Sequence, residues 1–524
     1  MKYSEQAKKS LQKANEFVQE GVQQILVNSL DEAHRVSVCP GATALATLSL
    51  LALGRGYEKA QRRGTECLLR ESSNHGWGKI PGGLEDEEVS HLARIVVQLS
   101  RGGVLAKLSV LEQSRRLSDL VLTLGKDVVP GLEGPKPLET SLAHVLEENV
   151  QKKLPQYGRP VVVAACLLSD TTNSSGTREA IQFLRKTQMP DGSWAEDVIA
   201  TSLVILALIR FPEQKETIQK AGDWLVRKQY PSGGWPAFDQ LQTWAMGWTG
   251  AIYQEFNLTS DESNLNQKVQ QWLVKASNSD GSYGTTPPYT HPDLDDTAVA
   301  LMALPIGNIA SRLTLELLLR FQNEDGSWGT FPDFRGQPPE IEACTPVYIQ
   351  SLDVTIHILE GLRRQGISLH HPASIRGLKW VLSQQKKDGE FDAVWLEGRI
   401  YGTAQALELM NKFHGVWSQW GLMRQIASSR SKATQYLLSQ QNSDGGWGSS
   451  MVETALTLAA LCPQKGHLPV EVFDRGIYSL IERQTECGAF KPDYKGIYAK
   501  GWNYEEPVST ALTGIRAFAR YLRI

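Results

Sequence analysis

The chain has 524 residues, 41% of them hydrophobic, and 54 basic against 57 acidic side chains give a formal charge of −3. That balance excludes a basic nucleic-acid binder. Six cysteines without a CxxC pair exclude Cys-rich metal or disulfide frameworks and fit a reducing cytoplasm. The longest apolar stretch near the start, Ala42 to Leu53, is well short of the roughly 20 residues of a membrane span, so a soluble cytoplasmic protein is expected.

The first twenty residues form a charged amphipathic helix without a signal-peptide core. From there one pattern recurs seven times: Gln (once Glu), five residues containing Gly, then an aromatic. The copies end at Trp77, Trp194, Trp235, Trp328, Phe391, Trp447 and Phe490. Most stand between apolar segments with helical i, i+3, i+4, i+7 spacing, such as ATQYLLSQQ before Trp447 and VETALTLAAL after it. The unit is therefore helix, glycine turn, helix. Gly supplies a positive φ that ends one helix, and Asp or Asn caps the next amides. Irregular intervals argue against an open solenoid, and strand signals are sparse, so an all-α protein of helical hairpins closed into barrels is expected.

Chemistry appears between the third and fourth copies, at Asp293-Leu294-Asp295-Asp296-Thr297-Ala298. Pro287, Pro288 and Pro292 forbid helix before Asp293, and the apolar run after it is helical, so the acids stand at a helix start. The positive helix end favours carboxylates there. Like charges a few ångströms apart nevertheless resist ionising together, so one acid can hold its proton at neutral pH. The alternatives are a capping Asp with solvated neighbours, or a metal site. A DDxxD metal motif fails because Val299 stands three residues after Asp296, and zinc is disfavoured because no Cys or His follows Asp295 at ligand spacing.

With these motifs the chain resembles the class II terpene cyclases, the group of squalene–hopene cyclases and copalyl-diphosphate-type diterpene cyclases. DLDDTA is similar to their DxDDTA acid, and the glycine turns are similar to their QW repeats. Pro137-LETSLAHVLE-Glu148 and Leu84-EDEEVSH-Leu92 resemble segments of the diphosphate-using branch, and Arg399-IYGTA, the segment after Gly446 and Trp502-NYEEP resemble late segments of bacterial relatives. The resemblance implies two α/α barrels: a β domain over 1–24 plus 196–524 that carries the acid, and a γ domain inserted over 25–195, with the cavity between them. It implies Asp295 as proton donor, with Asp293 and Asp296 orienting it; the acid's hydrogen-bond partner stays open. Residues 149–182 leave no room for the membrane-binding insertion of squalene cyclases, which points to a substrate arriving from water.

The expected reaction is cyclisation of geranylgeranyl diphosphate to a bicyclic labdane-type diphosphate. The alternatives are farnesyl diphosphate giving a drimane, a squalene-like or prenylated aromatic substrate, or an inactive helical scaffold, against which the clustered acids argue. Trp395, Tyr401, Trp248 and Tyr283 are the leading cavity aromatics for cation–π shielding, with Trp235, Trp244 and Tyr289 behind them. Lys79, Arg159 and Arg399 are candidate diphosphate contacts, and Glu85 and Asp86 candidate ligands for Mg²⁺. The expected partner is the small-molecule substrate, with a homodimer left open.

Overall fold

The structure is a computed structural model that describes residues 2–72, 76–78, 86–102, 142–147, 158–170, 176–237, 240–258, 264–288, 292–331, 350–396, 398–413, 420–491, 496–499 and 502–523. Among them, six helices pack side by side into a closed inner ring: Gln242–Phe256, Leu294–Ala303, Leu352–Arg364, Arg399–Lys412, Met451–Leu461 and Pro507–Leu522, which returns to the first. Each is backed by an outer helix, in the same order Leu265–Ala276, Ile309–Arg320, Pro372–Ser383, Trp420–Ser439, Val470–Arg483 and, closing the circle, Ser4–Leu26. Leu294–Ala303 and Met451–Leu461 are buried on every side, as inner staves must be, whereas Val470–Arg483 buries one face only.

The repeats explain the closure. Each Gln side chain donates to the carbonyl of its own turn glycine and to a backbone carbonyl of a neighbouring outer helix: Gln322 to Gly326 and Ala373, Gln441 to Gly445 and Val472. Gln484 reaches Ser10, and so ties the last outer helix to the first. The aromatic locks the turn from inside. Trp328 Nε1 donates to the Leu318 carbonyl at 2.7 Å, while its backbone N–H donates to Thr355 Oγ1 at 3.0 Å. Gly326 has φ +99°, and a Cβ there would stand 2.5 Å from the Arg376 carbonyl oxygen. Gly326→Ala is therefore expected to destabilise the protein by about 2 kcal/mol or more, measured by denaturant unfolding.

Ser277 to Tyr283 forms an eighth turn of the same kind, with Gly281 at φ +86° and the Tyr283 hydroxyl donating to the Leu273 carbonyl. The sequence pattern missed it because Ser replaces Gln.

A second apolar core gathers residues between Cys39 and Ala237, where Pro40–Leu53 packs on Glu87–Gly102 and Val198–Leu208, and Gly158–Ser169 packs on Val198–Leu208. Helices Val198–Leu208 and Lys215–Lys228 belong to this core, so the two cores divide near residue 240, whereas the sequence reading put the boundary at 196. The cause is closure: Gln229 bonds back to Ala60 and so joins the Lys215–Lys228 hairpin to the earlier helices. A two-stranded antiparallel hairpin, Gly496–Ala499 with Trp502–Tyr504, is a small departure from the all-helical expectation. No helix among the described residues is long and apolar enough to cross a membrane.

Candidate active site

Backbone bonds fix the acid turn before any side chain acts. The Asp293 N–H donates to the Tyr283 carbonyl at 2.9 Å, and the Leu294 N–H to the Thr330 carbonyl at 2.8 Å. Asp293 then caps the helix: its Oδ1 accepts from the N–H groups of both Asp295 and Asp296 at 2.8 Å. All three acids are buried, at 7%, 8% and 4% exposure, in a protein where carboxylates normally sit in water.

Burial raises the pKa of both Asp293 and Asp296, and their side chains share a hydrogen bond, which requires a proton between them. Asp296 Oδ1 has no protein partner. Asp295 turns the other way, with its Oδ1 2.7 Å from Nδ1 of the buried His357. Trp244 and Trp248 meet the His357 ring edge-on at 5.4 and 5.6 Å, so its tilt is set by packing. One turn back on the same face, Asp353 Oδ2 accepts from the N–H groups of Val394 and Trp395 at 2.9 and 2.8 Å, and burial pushes its carboxyl up to about 6.

Beside this cluster lies a cavity walled by Trp244, Trp248, Ile252, Leu396, Tyr401, Val452, Leu456, Tyr504 and Leu512, with Gln405, Glu505, Glu506, Ser509 and Arg516 as polar groups. Arg516 is ion-paired with Glu408, in a network that also holds Arg520, Lys412, Glu360, Arg364 and Glu255 behind the cavity. The arrangement couples a buried, partly protonated acid cluster to an aromatic and aliphatic chamber, which is what protonation of an alkene requires.

Residues 158–240 and 286–454 match the squalene-hopene cyclase C-terminal domain family. The chain is 24% identical over 330 residues to a drimenyl diphosphate synthase of Streptantibioticus cattleyicolor, covering 59% of this chain and 58% of that one. It is 26% identical over 235 residues to a squalene–hopene cyclase of Zymomonas mobilis, covering 39% and 34%. In fold it is similar to the ent-copalyl diphosphate synthase from Streptomyces platensis, with a TM-score of 0.58 at 17% identity over 97% of this chain and 99% of that one. In sequence and fold the chain is thus similar to class II terpene cyclases. Its match spans less than two thirds of the length of the drimenyl diphosphate synthases.

The expected site residues separate into three groups. Asp293, Asp295 and Asp296 converge, and Trp248 and Tyr401 line the cavity. Trp395 is absent from the described cavity wall, its Nε1 donating to Thr330 Oγ1 at 2.8 Å. Tyr283 does not line the cavity: it is fully buried with its hydroxyl on the Leu273 carbonyl, because it is the locking aromatic of a turn. Trp235 has the same task, with Nε1 on Leu225.

Arg399 is exposed and paired with Glu390 at 2.9 Å and Asp392 at 3.5 Å, so its charge is committed at the surface. Arg159 begins helix Gly158–Ser169 in the second core, and the described cavity wall contains neither arginine. Asp86 acts as a cap, its Oδ1 accepting from the Val89 N–H at 3.0 Å, and no group of three or more His, Cys, Asp or Glu among the described residues gathers to hold a metal. Lys79, Glu85 and Tyr289 lie outside the described residues. Sequence reasoning missed His357, although Asp353 and His357 are four apart on one helix face, the spacing that aims two side chains at one point.

The raised pKa values have a sign that can be tested. An Asp that resists ionisation in the folded state is fully accommodated below its unfolded pKa near 3.9 and costs stability as pH rises through its folded value. Asp296→Asn is therefore expected to narrow the fall in melting temperature between pH 5 and pH 8, while lowering activity. Thermal melts of both proteins at the two pH values check this.

Proposed function

We propose that the chain cyclises a linear prenyl diphosphate by protonating its terminal alkene, with the diphosphate retained. The observation that carries the reading is the buried Asp295–His357 pair, whose imidazole ring packs against Trp244 and Trp248, two aromatic walls of the chamber. An ordinary carboxylic acid, with a pKa near 4, is too weak to protonate an isolated alkene. Three features supply the difference. His357 stabilises the Asp295 conjugate base, Asp293 holds the amides of Asp295 and Asp296 in place, and Trp244, Trp248 and Tyr401 line a chamber where their rings face a growing cation. Each aromatic contributes about 0.5 to 2 kcal/mol. Folding of the chain in the chamber brings successive alkenes into attack distance and converts the closure into an intramolecular sequence.

The proposed reaction is geranylgeranyl diphosphate to a bicyclic labdane-type diphosphate. A second reading, farnesyl diphosphate to a drimane-type diphosphate, is supported by the similarity to two drimenyl diphosphate synthases. Competition between the two substrates, with products resolved after phosphatase treatment, decides between them; no turnover of either removes both.

Mg²⁺ is proposed as counterion of the diphosphate, its usual mode with phosphates. Activity is expected to fall in excess EDTA and return with low-millimolar Mg²⁺, and Glu85→Ala with Asp86→Ala is expected to raise the Mg²⁺ needed. An unchanged requirement in the double variant leaves Asp86 as a helix cap alone.

A further inference from the structure

Protonation at one end of the substrate leaves a tertiary cation at the other, which must lose a proton. The cavity holds two carboxylates apart from the acid cluster, Glu505 and Glu506. Glu506 begins helix Pro507–Leu522, which is separated from the acid-bearing helix Leu294–Ala303 by Gln242–Phe256, the helix of Trp244 and Trp248. Acid and Glu506 thus flank one aromatic stave.

Its placement departs from the rest of the barrel. The inner helices at Leu294, Leu352 and Met451 are capped by Asp293, Ser351 and Ser450, the short side chains that suit a cap. At Pro507 the cap is Glu506, whose two oxygens accept from the N–H groups of Val508 at 3.2 Å and Ser509 at 2.6 Å. Glu506 is 8% exposed and lines the cavity with Tyr504 and Ser509. The Ser509 side chain lines the cavity beside it and also hydrogen-bonds the Glu506 carboxylate. Burial pushes the Glu506 carboxyl up to about 7 against the Ser509 side-chain bond and the two N–H bonds that favour its charge, so near neutral pH it exchanges a proton readily.

We propose that Glu506 is the base that ends the cyclisation, with Ser509 beside it to orient the carboxylate or a single bridging water. A C–H bond next to the cationic carbon breaks, its electron pair becomes the new alkene, and the proton passes to the Glu506 carboxylate. One proton has left Asp295 and one has arrived at Glu506; exchange with water resets both. The role rests on the proposed cyclisation and adds the residue that fixes the position of the product alkene.

The test is the product spectrum of Glu506→Gln with geranylgeranyl and farnesyl diphosphates. The amide keeps one of the cap's two acceptor oxygens and removes the base. Formation of the wild-type alkene is expected to fall about a hundredfold, with hydroxylated or isomeric alkene products in its place. Glu506→Asp keeps cap and charge but withdraws the carboxylate by one methylene, so it is expected to fold natively and shift the product ratio in the same direction by less. Wild-type products at rates within about twofold in Glu506→Gln overturn the role, and an unchanged ratio in Glu506→Asp does so if Glu506→Gln does not fold. A wild-type protein that converts neither substrate overturns the cyclisation itself, a failure visible before any variant is made.

Discussion

Asp295→Asn protein with native circular dichroism is expected to form at least about a thousandfold less cyclic product than the wild type. The amide nearly matches the carboxylic acid in size and can still meet His357, so packing survives while the proton to be donated is gone. Asp293→Asn and Asp296→Asn are expected to reduce turnover strongly without abolishing it, because Asp293 holds the amides of the turn and Asp296 shares its proton with Asp293. Wild-type activity is expected to fall toward alkaline pH as the cluster ionises, with an apparent constant that belongs to the coupled acids together. Full turnover by Asp295→Asn, or activity that climbs steadily from pH 5 to 10, would place the proton donor elsewhere.

His357→Phe is the second large effect expected. The phenyl ring keeps the edge-on packing against Trp244 and Trp248 but removes the 2.7 Å bond to Asp295. Without that bond the conjugate base of Asp295 is left buried and unpaired, a cost that falls on the transition state because the carboxylate forms there. A loss of about a hundredfold in kcat is expected with KM nearly unchanged. An equal change in both constants would mean that His357 shapes the chamber and does not tune the acid.

Much of this was legible in the sequence, for reasons that differ by residue. The turns could be read because a locking aromatic and a positive-φ glycine leave few substitutes, and the acid cluster because proline and apolar residues bracket it. Tyr283 was misread because an aromatic near the acids looks like a cavity residue until its hydroxyl is seen on the Leu273 carbonyl. Charge in a sequence carries no address: Arg399 could serve a diphosphate or the surface, and in the structure Glu390 and Asp392 pair with it at the surface. His357, on Leu352–Arg364, and Tyr504, Glu506 and Arg516, on or just before Pro507–Leu522, became visible only through ring closure, which brings His357 and Arg516 from these two distant helices against Trp248. The boundary near 240 was hidden for the same reason, since the bond from Gln229 to Ala60 spans most of the second core.

The most direct test of proton-initiated cyclisation is a reaction in D₂O after the protein has been equilibrated in it, with geranylgeranyl and farnesyl diphosphates supplied separately and both the organic product and free inorganic diphosphate measured. The expected result is a bicyclic product that still carries its diphosphate, with deuterium on the carbon that received the proton and no stoichiometric release of inorganic diphosphate. Release of inorganic diphosphate with each turnover, or a cyclic product without deuterium at that carbon, would contradict protonation by the Asp295 cluster.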